Sequence, residues 1–164
     1  MGNNLDSRGA ILSKSGSIST FEGEVRCTGG FRHGSSTYPV PASISVVPAV
    51  GGATDACDIT ITVKDSAGVA IPTVHALEFW ISESAIGAGL TADSASGALT
   101  AVTGTVLTAL TAKKHALIVT AATGIAVMRI VDSANPVDQY FCVKNPATGL
   151  VTVSAASGVL WEGV

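Results

Sequence analysis

Charge is scarce in this sequence. Its 164 residues include 9 Lys and Arg and 12 Asp and Glu, 13% of the chain, giving a net charge of −3. Residues 1–57 balance Arg8, Lys14, Arg26 and Arg32 against Asp6, Glu22, Glu24 and Asp55, so the acidic excess lies in the remainder. Neither part holds the stripe of Lys and Arg that phosphate-backbone binding requires, which argues against nucleic acid as a partner. The surface must then be covered largely by Thr, Ser, Ala and Gly. A free monomer normally leans on charge for solubility. The composition therefore fits either a surface buried against other chains or a small-residue-rich β protein.

Long apolar runs are missing too. No stretch approaches the ~20 residues of a membrane span, and the start, MGNNLDSRGA, lacks the apolar core of a secretory signal. Asp6 stands where a myristoylation motif asks for Ser or Thr. The expectation is synthesis in the cytoplasm with no membrane partner. Cys27, Cys57 and Cys142 are odd in number, widely spaced and without a CxxC pair, so neither a disulfide framework nor a zinc site is indicated. Three packed, reduced thiols are expected instead.

Catalytic signatures are equally sparse. His33, His75 and His115 have no second ligand at metal-binding spacing, and Asp55, Asp58 and Asp65 form only a loose scatter, with Asp65 better suited to a turn. There is no Gly-x-Ser-x-Gly elbow, no GxGxxG and no GxxxxGK[ST] loop. Glu78 and Glu83 are five apart, hence on opposite faces of an unbroken strand. No nucleophile, base and oxyanion donor can be brought together from sequence. An enzyme is not expected, and neither is a catalytic residue, cofactor or metal.

What the chain does contain is strand pattern. In Asp58–Ser82, Ile59, Ile61 and Val63 alternate with Thr60, Thr62 and Lys64, Asp65-Ser66-Ala67-Gly68 supplies turn chemistry, and Val74–Ile81 returns through β-branched and aromatic types. The stretch predicts two strands folded on each other as a hairpin. Further strands are predicted at Thr105–Leu110, His115–Thr120, Ile125–Val131, Gln139–Lys144 and Leu150–Ser154. Within Ile125–Val131 the single charge, Arg129, assigns the Ala126, Met128, Ile130 side to the core. Glu83–Gly104 is a long run of small residues, of a length uncommon for a structureless loop in a compact domain, and is either interrupted by a short strand around Leu99–Val102 or a mobile, partner-facing loop.

The first twenty residues are rich in Gly, Ser and Asn and cannot bury enough to fold alone. Phe21, Val25, Phe31 and Tyr38 follow among glycines as candidate anchors, with Arg26 and Arg32 beside them. The segment 49–54 has the composition of a linker. The division predicted is an extended arm over 1–54 and a β domain over 55–164, unless Ser43–Val47 is already the first strand of that domain. About seven short strands, turn signals every ten residues and no helical period predict an all-β, immunoglobulin-like antiparallel β-sandwich with an extended N-terminal arm. A small barrel is the alternative. The antibody arrangement of Cys, Trp and Cys is absent, and Trp80 is assigned to the core by its strand position.

One resemblance bears on function. VKDSAGVAIP, the Phe79-Trp80-Ile81-Ser82 motif, the loop Gly87-Ala88-Gly89-Leu90-Thr91 and TGTVLTALTAKKHALIVTAATGIAVMRIVDS together resemble the immunoglobulin-like domains of tailed-bacteriophage capsid decoration and head-fibre proteins. The similarity covers roughly Asp58–Ser154. It implies a structural virion protein on the outer capsid surface, with the major capsid protein as partner and self-association as a homo-oligomer, a trimer being favoured. In that setting Phe21, Val25, Arg26, Phe31, Arg32 and Tyr38 are the expected capsid or oligomer contacts. The competing expectation is a carbohydrate-binding or adhesion module for host-surface glycans, with Trp161 as stacking platform.

Overall fold

The computed structural model describes residues 4–5, 11–12, 31–33, 36–38, 40–93, 95–158 and 160–161. The N-terminal part contributes β1 (Asn4–Leu5), β2 (Ile11–Leu12), β3 (Phe31–His33) and β4 (Ser36–Tyr38), paired β1 with β2 and β3 with β4. The remaining strands are β5 (Ser43–Val50), β6 (Ala56–Lys64), β7 (Ala76–Ser82), β8 (Leu99–Thr103), β9 (Thr105–Thr111), β10 (His115–Val119), β11 (Ile125–Val131), β12 (Tyr140–Lys144) and β13 (Val151–Ala156). They form a four-stranded sheet in the order β5-β6-β11-β8 and a five-stranded sheet in the order β13-β12-β7-β10-β9, antiparallel throughout. The two sheets pack face to face as a β-sandwich. No helix occurs among the described residues.

Alternation decides which side of each strand is buried. In β6, Cys57, Ile59, Ile61 and Val63 are fully buried, and in β11 so are Ala126, Met128 and Ile130, while Arg129 projects from the opposite face. These meet Leu77, Phe79 and Ile81 of β7, Ile118 of β10 and Phe141 and Val143 of β12 in one core. The Phe79 and Phe141 rings stack there, 6.4 Å between centroids and 13° between planes. Each buried Ile, Leu or Phe contributes roughly 1.5–3 kcal/mol relative to exposure. On the outer side of the four-stranded sheet, Arg129 and Asp58 face each other in register and form a two-pronged pair, Nε to Oδ1 and Nη2 to Oδ2, both 2.7 Å.

The predicted hairpin is not one. β6 and β7 lie in different sheets, and each is a central strand of its own sheet. Their connection runs over 65–75 and bridges the two layers. It begins in the turn that Asp65 specifies, with Oδ1 accepting from the N–H groups of Ala67 and Val69 at 2.9 and 3.0 Å. The true partners of β6 are β5 and β11. β5 pairs with β6 along its whole length, from Ser43 opposite Lys64 to Val50 opposite Cys57, and buries Ile44 and Val46 in the core. Residues 51–54 are thus a turn inside a sheet, and the sandwich begins at Ser43 rather than at residue 55.

The lateral sides of the sandwich differ. β5 and β13, edge strands of opposite sheets, lie against each other. On the other side, β8 and β9 are one nearly continuous strand that leaves the four-stranded sheet and joins the five-stranded one, bending at Gly104. Gly104 has φ 84°, and a Cβ there would collide with the Val119 carbonyl oxygen and lie 3.2 Å from Ala126 Cβ. Only glycine fits both the backbone angle and the close approach.

Candidate functional site

The outer face of the five-stranded sheet carries an open groove of about 470 Å³. Its floor comes from strand positions of one parity. Glu78 and Trp80 of β7 alternate with the core residues Leu77, Phe79 and Ile81. His115 of β10 stands opposite Trp80, and Lys144 of β12 stands opposite Glu78. Gly87, Gly89 and Leu90 form one wall and Val151 of β13 completes the lining.

Hydrogen bonds fix this floor. His115 Nε2 and Glu78 Oε1 are 2.8 Å apart, with side chains 20% and 29% exposed. The Trp80 and His115 rings meet edge to face at 6.5 Å and 73°. The Trp80 indole N–H donates to the Gly87 carbonyl at 3.1 Å, so the ring is tied to the loop after its own strand. That loop folds back over the sheet. Ser82 Oγ donates to the Ala88 carbonyl and the Thr91 N–H to the Ile81 carbonyl. Gly87 is required at the crossing: its φ is 71°, and a Cβ would sit 3.0 Å from Cys142 Sγ and Val153 Cγ2. The Lys144 Nζ makes no hydrogen bond or ion pair among the described residues, and Glu78 opposite it is engaged by His115. The groove thus offers an oriented indole, a histidine–carboxylate pair and an ammonium group to a small polar ligand with one apolar face.

The loop is cinched at its far end. Glu83 Oε1 accepts from Thr91 Oγ1 and from the Ala92 N–H, each at 2.7 Å, and these bonds hold its carboxyl below the ordinary value. Lys114 Nζ donates to the Thr91 and Ala92 carbonyls at 2.9 and 2.6 Å.

The residues singled out from sequence fall elsewhere. Trp161 is 2% exposed, packs into the core, and donates its indole N–H to the Pro136 carbonyl at 2.9 Å. Its ring faces are covered, so it offers no stacking platform. Trp80 takes the opposite correction: it lies on the outer face, half-buried, and Phe79 fills the core position. Phe31 and Arg32 lie in β3 and Tyr38 in β4, with Phe31 opposite Tyr38 and Arg32 opposite Thr37. Phe21, Val25 and Arg26 lie outside the described residues, as does Cys27. Cys57 and Cys142 are free and buried. Cys57 points into the core while Cys142 lies under Gly87 on the outer face, which keeps them apart. Burial pushes their thiols up to about 12 and about 11, so neither is nucleophilic near neutral pH. Among the described residues, no cluster of three or more His, Cys, Asp or Glu is arranged to hold a metal ion.

Sequence inspection missed the Trp80 site because it draws on three strands beyond β7 and a loop. The available signal was parity: Glu78 marks the wet phase of β7, and Trp80, two residues on, shares it. No protein-family model, curated protein or solved structure matches the chain.

Proposed function

We propose that the chain is a non-enzymatic structural protein of a tailed-phage virion. It binds the outer surface of the capsid through its N-terminal segment and decorates or stabilises the shell. The observation that carries this proposal is the division of labour along the chain. Among the described residues, both sheets of the sandwich are built from strands between Ser43 and Ala156, while β1 pairs with β2 and β3 with β4. The segment that holds Phe21, Val25, Arg26, Phe31, Arg32 and Tyr38 is therefore not needed to complete either sheet. Its aromatic and aliphatic side chains serve as apolar anchors and its two arginines pair with carboxylates of the major capsid protein. Many copies of a modest contact then yield a shell-level gain.

The strand neighbourhood supports the immunoglobulin-like part of the proposal. With β5, β6, β7, β11, β12 and β13 taken as strands A, B, C, E, F and G, one sheet has the neighbours A-B-E and the other G-F-C, as in that fold. The chain reaches the intervening positions in a different order, visiting the place beside E with β8 before those beside C with β9 and β10. Deletion of residues 1–40 is the test. Loss of capsid binding with the sandwich still folded is expected, and full occupancy by the truncated protein would overturn the anchoring role.

The groove favours a second reading, an adhesion module for host-surface glycans, with Trp80 rather than Trp161 under the sugar. Titration of a glycan panel followed by NMR should then perturb the Trp80 indole N–H signal. A panel that leaves this signal unmoved removes the reading.

A further inference from the structure

β9 is the barest strand of the sandwich. It pairs with β10 on one side only. All its residues except Val106 are exposed, Leu107 at 58% and Leu110 at 49%. The five-stranded sheet is one strand wider than its partner, so β9 packs on the core only through Val106, and among the described residues no strand pairs with its outer row of N–H and C=O groups. Natural sheets guard such an edge with charge, proline, bulges or a covering segment. From Leu99 to Ala112 there is no charged residue and no proline. The next two lysines are turned away: Lys113 Nζ donates to the Ser96 carbonyl, and Lys114 Nζ to those of Thr91 and Ala92. The guard present is a pair of register shifts against β10, which leave Leu107 and Leu110 out of the ladder. They twist the edge without covering it, and they put both leucines into solvent.

We propose that β9 is the surface through which two copies of this chain associate, edge to edge and antiparallel, about a two-fold axis at Thr108. The sequence of the strand names its occupant. In Thr105-Val106-Leu107-Thr108-Ala109-Leu110-Thr111 threonine stands at both ends and at the centre with apolar residues at the four positions between, so the order of threonine and apolar residues is the same in both directions. Antiparallel pairing centred on Thr108 sets Thr105 against Thr111, Val106 against Leu110 and Leu107 against Ala109. A two-fold contact demands such self-complementarity, because residue i meets j wherever j meets i. An edge built for a charged partner would instead carry complementary charge. The pairing satisfies the open backbone row by strand addition and joins two five-stranded sheets into one. It makes the basic unit a dimer rather than the trimer that the phage resemblance implies.

The test uses the full-length chain with Cys27 replaced by Ser; Cys57 and Cys142 are already buried. Residues facing each other across an antiparallel pair have Cα atoms about 4.5–5.5 Å apart, a span that a disulfide bridges. Light scattering should give twice the 16.4 kDa chain mass. Oxidised Thr108→Cys should become covalently dimeric, whereas the exposed Thr148→Cys at the same concentration should not. The double variant Leu107→Lys, Leu110→Lys should remain folded by circular dichroism and lose half the mass. A monomeric parent overturns the proposal. So does an oligomer in which Thr108→Cys cross-links no faster than Thr148→Cys, since its contact lies elsewhere. Capsids take no part in the measurement, so its outcome is separate from the fate of the virion proposal.

Discussion

Replacing Gly104 by alanine tests whether a single bent strand ties the two sheets together. Two costs add at this position. An L-residue forced to positive φ loses roughly 1–2 kcal/mol. The new methyl also meets the Val119 carbonyl and Ala126, and overpacking of a tight site costs about 1–3 kcal/mol. The sum is about 2–5 kcal/mol, a large share of the ~5–15 kcal/mol that holds a domain together. At about 4 °C per kcal/mol for a domain of this size, the midpoint should fall by about 8–20 °C. Gly149 provides the control. Its φ is 71° and nothing lies within 4 Å of its missing Cβ, so Gly149→Ala carries the conformational cost alone. Urea and thermal unfolding of both variants separate the two contributions. If Gly104→Ala is no more destabilising than Gly149→Ala, the close approach of the bend to β10 and β11 is wrong.

Much of the fold is local enough to be visible in sequence. Ile59, Ile61 and Val63 alternate with polar residues because one face of β6 is buried, and Arg129 identifies the wet face of β11 for the same reason. Asp65 announces its turn through a side chain that bonds two and four residues ahead. Sheet membership is different. β6 and β7 look like a hairpin because each is apolar on one face and a turn follows the first. Yet a central strand of either layer has that same pattern, and what distinguishes them is pairing with β11 and β12, far along the chain. The two tryptophans show the same limit. Trp161, near the end of the chain, gives no local sign that it will be covered by the core. Trp80 follows Phe79 directly, and hydrophobicity alone does not reveal which of two adjacent rings faces inward; the parity of Glu78 does. The groove needs four strands and a returning loop, so no single stretch could display it.

The buried thiols give one further expectation. At neutral pH Cys57 and Cys142 should react with a thiol reagent only as fast as the protein unfolds, because burial holds both as neutral thiols. Rapid modification of either in the native state would contradict their placement. The Glu83 clasp predicts a pH response near the groove. Its carboxyl is held below the usual 4.5 first by the Thr91 hydroxyl and then by the Ala92 N–H. A carboxylate with a lowered folded-state value adds stability that is fully present above the unfolded value and disappears as pH falls through the folded one. The clasp should therefore stay closed down to the ordinary carboxylate range and open below it. Glu83 is exposed and its partners lie in one loop, so the effect should be confined to residues 83–92 and leave the core intact. The bonds from Lys114 Nζ to the Thr91 and Ala92 carbonyls do not involve the Glu83 carboxyl, so the loop should loosen rather than detach. The Ala92 amide resonance, followed by NMR from neutral to acid pH, reports the opening directly. Glu83→Gln should abolish its titration. An Ala92 amide that titrates equally in the Glu83→Gln protein would show that another group closes the loop.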